Sequence, residues 1–132
     1  MIISDIALNF HGLKVDYTQL EDRVEQYARY LTSMGLQPGE RVAIAMTNCP
    51  EFVYSYLGTV RAGGIAVPLN LLQAPQELIY ILADSGARFL ITSTEIGRRI
   101  KQLPKLPVNL IILDEKTQKE IPDAPATRFP EI

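Results

Sequence analysis

Two hydrophobic rhythms alternate along this chain. Short, nearly unbroken apolar runs occur at residues 41–46 (Arg-Val-Ala-Ile-Ala-Met), 65–69, 88–92 and 108–113. Each is bounded by turn formers, the profile of a strand buried on both faces. Between them the apolar residues step by three and four, the spacing of a helix with one buried face. From the first of these runs onward, the predicted order is β-α-β-α-β-α-β. Parallel neighbours need such crossovers, and the helices then cover the sheet.

Local signals set the boundaries. Ile6 to Phe10 and Leu13 to Tyr17 form a predicted hairpin turned by His11-Gly12. Thr18 opens the first helix with Glu21 completing a capping box, and Gly35 closes it as a left-handed cap. Its apolar face carries Leu20, Val24, Tyr27, Ala28, Leu31 and Met34. Pro50 suits the first turn of the second helix, whose apolar stripe is Phe52, Val53, Tyr56, Leu57 and Val60. Gly63-Gly64 returns the chain into a strand. The third helix opens at Pro75 behind a poor cap, Ala74, buries Leu78, Ile79, Ile81 and Leu82, and ends at Ser85-Gly86. Ser93 or Thr94 caps a short fourth helix bearing Ile96, Ile100 and Leu103.

The expected fold class is α/β: a parallel, doubly wound sheet with helices on both faces, preceded by a small β-hairpin. Residues 1–17 form the hairpin and 18–115 the α/β subdomain. Residues 116–132 hold three prolines and no sustained period, and are expected to be an extended tail or linker.

Composition narrows the function. The 132 residues are 47% hydrophobic and 21% charged, an ordinary globular balance. A net charge of −2 without any block of like charge favours no nucleic-acid partner. No run is long and apolar enough for a membrane span, and the first residues lack a signal peptide's basic and apolar regions. Cys49 stands alone, which fits a reducing compartment. The expectation is cytoplasmic.

Doubly wound sheets bind ligands beyond the carboxyl ends of their strands. Those ends here are Thr47-Asn48, Asn70, Thr92-Ser93-Thr94 and Asp114-Glu115. They are polar, yet no catalytic set assembles from them. The loop after the first buried strand, Thr47-Asn-Cys-Pro50, has no glycine, and Gly63-Gly64 precedes a strand, so a dinucleotide fingerprint is not met. His11 is expected in a solvated turn, and Cys49, beside Glu51, as a packing residue. Arg98, Arg99 and Lys101, with Lys105 more loosely, read as a solvated basic face. Asp84 and Asp114-Glu115 lack the further ligands a metal pair needs. Tyr27, Tyr30, Tyr54, Tyr56 and Tyr80 are expected to pack half-buried on helices.

Several segments nevertheless stand in a family's order. They are the hairpin with Tyr17-Thr-Gln-Leu-Glu21, Leu31 to Gly35, Gln37-Pro-Gly-Glu-Arg-Val-Ala-Ile44, and Asn48-Cys-Pro-Glu-Phe52. Ala62-Gly-Gly-Ile-Ala-Val-Pro-Leu-Asn70, Glu77-Leu78 and Leu82-Ala-Asp-Ser-Gly-Ala-Arg88 follow. Together, from about Ile6 to Thr92, they closely resemble the N-terminal part of the adenylate-forming (AMP-binding) enzymes, the acyl-CoA synthetases in particular. Each piece also has a scaffold role in making turns, caps and strand entrances.

The resemblance implies a parent enzyme that uses ATP and magnesium to make an acyl-adenylate and then passes the acyl group to coenzyme A. Such enzymes hold phosphates with a YTSGTTGxPKG loop and use a lysine near the C-terminus. Neither has a counterpart in these residues, so no catalytic, cofactor-binding or metal-binding residue carries over to any position. The expectation is an N-terminal fragment of a fatty or aryl acyl-CoA synthetase, inactive alone and binding no cofactor by itself. Its partner would be the remainder of the synthetase, and its uncovered surface invites self-association. The alternative is a stand-alone α/β ligand-binding or interaction module using the polar row Asn48, Asn70, Thr92, Ser93 and Asp114.

Overall fold

The computed structural model describes residues 6–71, 74–103, 105–126 and 129. Strands β1 (Ile6–Phe10) and β2 (Leu13–Asp16) pair antiparallel across His11-Gly12. Both turn residues have positive φ, 48° and 87°, the geometry that matches the twist of a two-residue hairpin. Helix α1 (Tyr17–Ser33) follows at once.

Its cap differs from the expected Thr18–Glu21 box. Asp16 is the N-cap, its carboxylate accepting the Gln19 N–H at 2.8 Å while Gln19 Oε1 accepts the Asp16 N–H at 3.0 Å. Asp16 ends β2 in extended backbone, so the stronger cap lies earlier and claims the box. At the other end Gly35 donates to Thr32 and Leu36 to Leu31, both at 3.0 Å, with Leu31 and Leu36 buried together. Met34, expected on the buried face, is the C-cap and is 47% exposed.

The main sheet is parallel, in the order β4-β3-β5-β6, with β3 (Arg41–Ala45), β4 (Ile65–Pro68), β5 (Ala87–Thr92) and β6 (Asn109–Ile112). Strand β3 is its most enclosed: Val42, Ala43, Ile44 and Ala45 are fully buried. Val42, Ile44, Phe89, Ile91 and Ile111 meet Tyr27, Ala28 and Leu31 of α1 and Tyr54 of α2 (Pro50–Arg61). On the opposite face Ala43, Ala45 and Leu90 meet Leu82 of α3 (Pro75–Ser85) and Ile100 of α4 (Thr94–Lys101). Helices cover both faces, and the fold class is the expected one.

Helix α2 is turned partly away from its hydrophobic pattern: Phe52 and Val53 of the expected stripe are half-buried, Phe52 against the α1-side core. Its buried residues are Pro50, Tyr54, Ser55, Gly58 and Thr59, whereas Tyr56, Leu57 and Val60 of the expected stripe are each 37% exposed. Close helix contact is the reason. A Cβ placed on Gly58 would lie 2.7 Å from Cβ of Tyr27 and 3.3 Å from the Ala28 nitrogen. Only small side chains fit along that seam. The Ser55 hydroxyl is buried without a hydrogen-bond partner among the described residues, so its size accounts for it. Thr59 donates to the Ser55 carbonyl at 2.7 Å, which lets a second polar side chain enter the core.

Two glycines then return the chain. Gly63 has φ 88°, and a Cβ on Gly64 would come within 3.2 Å of the Glu40 carbonyl oxygen. Gly39 N–H donates to Gly63 and Ile65 N–H to Glu40, both at 2.9 Å, zipping this return onto the turn before β3. Charged groups close the same end. Arg88 donates to the Gly35 carbonyl and, at 2.6 Å, to Glu40, while Arg41 donates to the Ser85 carbonyl at 2.7 Å.

The expected extended tail is a corrected boundary. Helix α5 (Glu115–Glu120) and a 3-10 turn (Ile121–Asp123) occupy its start, with Asp114 capping α5 through the Thr117 N–H at 2.8 Å. The helix is a short, wholly polar turn-and-a-half with no buried residue, so hydrophobic periodicity does not reveal it. Ile121 is 2% exposed in the α1-side core, and the Phe129 ring lies 5.1 Å from the Arg61 guanidinium carbon.

Gly58→Val is expected to destabilise the chain by ~1–3 kcal/mol through overpacking at the α1–α2 seam. Ser55→Ala is expected to be neutral or stabilising, because it removes an unpaired buried hydroxyl. Denaturant midpoints measure both. A second expectation concerns acid. The Gln37 N–H and then Arg88 hold the Glu40 carboxyl below its ordinary 4.5. Its contribution is therefore complete above the unfolded value and lost as pH falls through the lower, folded one. Denaturation midpoints should fall as pH drops below Glu40's ordinary value, and Glu40→Gln should flatten part of that slope.

Candidate ligand cleft at the strand ends

The strand order reverses between β3 and β5. From β3 the chain crosses to β4 on one side, then passes back over to β5 on the other. Loops leaving two such strands diverge and open a crevice at their carboxyl ends. A cleft of about 610 Å³ stands there. Met46, Thr47, Cys49 and Glu51 come to it from the end of β3 and the start of α2. Ser93, Thr94, Glu95, Ile96, Arg99 and Ile100 come from the β5–α4 side, with Leu71, Leu78, Leu113 and Gln118 around them. The volume falls within the range of small-molecule sites.

The expected polar strand ends divide, and of the row Asn48, Asn70, Thr92, Ser93 and Asp114 only Ser93 lines the cleft. Thr47, Ser93 and Thr94 line the cleft, whereas Asn48, Asn70, Thr92, Asp114 and Glu115 are not in its wall. Thr92 is fully buried and donates to the Ala45 carbonyl at 2.6 Å, stitching β5 to β3 at the switch point. Ser93 caps α4, accepting the Ile96 N–H at 3.5 Å, and Asp114 caps α5. These groups serve the scaffold. Asn48 and Asn70 are exposed.

Several wall residues were not singled out in advance. Glu51 was noted only as a neighbour of Cys49. Arg99 was counted with the solvated cluster, and it does pair with Glu95 at 3.5 Å in a largely exposed setting. Arg98, Lys101 and Lys105 are exposed. Gln118 lies in the segment expected to be extended, so no sequence signal pointed to it. It donates to the Leu113 carbonyl at 3.1 Å.

The remaining candidates fall elsewhere. His11 is exposed in the hairpin turn, its ring edge-on to Phe10 at 4.5 Å. Burial pushes the Cys49 thiol up, and the Glu51 carboxylate adds to this against an opposing Phe52 N–H. Burial, with Glu51 behind it, also raises the Tyr27 and Tyr54 hydroxyls. Tyr27 and Tyr54 are buried, Tyr30 is half-buried, and Tyr56 and Tyr80 are exposed, Tyr80 at 71%. Among the described residues no three His, Cys, Asp or Glu side chains are grouped to hold a metal ion. Asp84 is exposed.

Chemically the cleft can bind an apolar group under a hydroxyl-bearing rim. Its wall carries two carboxylates, Glu51 and Glu95, and one guanidinium, Arg99, which pairs with Glu95. Cys49 is not activated, since a raised thiol stays protonated at neutral pH.

Residues 4–130 match the AMP-binding enzyme family. The chain belongs to that family. It is 34% identical over 100 residues to the crotonobetaine/carnitine–CoA ligase of Salmonella typhimurium strain LT2, a match covering 74% of this chain and 19% of that one. The benzoate CoA ligase of Burkholderia xenovorans LB400 superposes with a TM-score of 0.82 at 28% identity, over 95% of this chain and 27% of that chain. The anthranilate CoA ligase AuaEII, solved with anthranoyl-AMP, gives 0.82 at 29% identity over 96% of this chain and 25% of that chain. This chain thus spans from about a fifth to just over a quarter of these relatives' length. No helix among its described residues is long and apolar enough to cross a membrane.

The thiol makes a direct check. At neutral pH Cys49 should alkylate more slowly than a free cysteine, and its rate should rise only at a pH above the ordinary thiol value, as followed by iodoacetamide uptake.

Proposed function

We propose that these residues are the N-terminal portion of an ATP-dependent acyl-CoA ligase acting on an aryl or fatty acid in the cytoplasm. Their role is to supply scaffold, and the remainder of the ligase supplies the groups that bind ATP, magnesium and coenzyme A. The observation that carries this reading is the superposition on benzoate CoA ligase, nearly complete for this chain yet filling 27% of that one. The aryl preference leans on the printed names of the benzoate and anthranilate ligases. The charge of the cleft supports a chain that does not bind ATP alone.

ATP–pyrophosphate exchange with a panel of fatty and aryl acids tests it. The 132-residue chain should catalyse none above background, and measurable exchange would refute its inactivity. The cleft favours a second reading, a stand-alone binding module. A ligand that binds only the folded chain must raise its melting temperature. Acyl chains, nucleotides and coenzyme A are expected to leave it unchanged. A saturable rise with any of them would favour the module.

A further inference from the structure

A second hollow, of about 300 Å³, stands where the hairpin, α1, the start of α2 and the Gln118–Ile121 segment meet, and it shares Glu51 with the strand-end cleft. Its charges are sorted by depth. Tyr27 and Tyr54 are the buried polar residues of its wall, 5% and 8% exposed, with ring centres 5.6 Å apart. Glu51 is half-buried near them, whereas Lys14 and Arg23 are exposed at the rim. Burial raises both tyrosine hydroxyls, Glu51 raises them further, and Arg23 opposes by less. Each phenol therefore stays protonated and is influenced more by the carboxylate than by the guanidinium. Neither hydroxyl has a hydrogen-bond partner among the described residues, although buried tyrosines ordinarily find one. Lys14, Arg23 and Glu51 enter no ion pair among those residues either. Arg23 reaches only Gln26, at 3.3 Å, and Glu51 has the Cys49 thiol beside it.

We propose that this hollow binds a small zwitterionic amino acid, its ammonium group inward on Glu51 and the two tyrosine oxygens, its carboxylate outward on Arg23 and Lys14. An ammonium carries three donors and no acceptor, and the inner wall offers it a carboxylate and two phenol oxygens. The other ligand classes each leave something unanswered. A simple carboxylate or a phosphate would bring a second negative charge towards Glu51. A simple amine would leave both rim cations without a partner. An apolar molecule would strip water from the two hydroxyls and pair neither, which costs affinity. A metal ion finds a single ligand, because Glu51 is the only His, Cys, Asp or Glu side chain in this wall. The volume is at the lower end of small-molecule sites, which suits a compact ligand.

Titration calorimetry on the 132-residue chain tests this with glycine, β-alanine and γ-aminobutyrate, which hold the two charges progressively further apart. At least one of them should bind saturably, with a midpoint at or below ~10 mM. Butyrate and n-butylamine, each keeping one charge of the pair, should bind at least ~10-fold more weakly than the best zwitterion. Glu51→Gln and Arg23→Gln each remove the charge at one end, and each should weaken that zwitterion by at least ~10-fold. Denaturant midpoints check that both variants fold, and Arg23, being exposed, keeps the test usable if Glu51→Gln does not. Failure of all three zwitterions to saturate overturns the proposal. So does a smaller loss than that with either single-charge control or with a folded variant. None of these readings involves adenylation, so failure here leaves the ligase reading to be judged by pyrophosphate exchange alone.

Discussion

The near-contact of α1 and α2 is the constraint from which most of this architecture follows. Gly58 against Tyr27 brings two helix backbones closer than ordinary core side chains permit. That closeness spends part of the inner face of α2 on Ser55, Gly58 and Thr59 and leaves Tyr56, Leu57 and Val60 outside. It also fixes where α2 ends. The glycine return after Ala62 is then pressed onto the Glu40 turn, which sets the register of β4 beside β3. Packing density, not the count of apolar residues, chose the orientation.

The two ends of the parallel sheet are built for different purposes. At the amino ends, Arg88, Glu40 and Arg41 tie the entrances of β3 and β5 to the ends of α1 and α3. These groups are partly solvated, so they act as geometric latches more than as sources of stability. At the carboxyl ends the strands separate into a cleft, and the polar residues there mostly cap helices or bridge strands. The rigid end and the open end are consequences of one strand order.

Much of this was legible in the residues, for identifiable reasons. Strand positions followed from unbroken apolar runs, and helix ends from glycine, because both signals are local. The hairpin turn at His11-Gly12 was likewise carried by two residues. What escaped depended on neighbours. Asp16 outcompeted Thr18 as a cap because the hairpin delivers it in extended backbone. The face of α2 was misread because periodicity reports which residues are apolar and cannot report how closely another helix approaches. In the cleft, Thr47, Ser93 and Thr94 were foreseeable from the rule about strand ends. Glu51, Arg99 and Gln118 reach it only through the crossing of separate elements.

The first helix and the 3-10 turn at Ile121–Asp123 touch. Ile121 is buried in the same core as Tyr27, Ala28 and Leu31, although some ninety residues separate them along the chain. The polypeptide therefore closes on itself like a clasped belt, and its late segment cannot peel away without exposing the floor beneath α1. Amide exchange in α1 and in the Ile121 turn should accordingly belong to one cooperative unit, not to fraying ends. The fold gains a sequence separation that makes it slower to assemble.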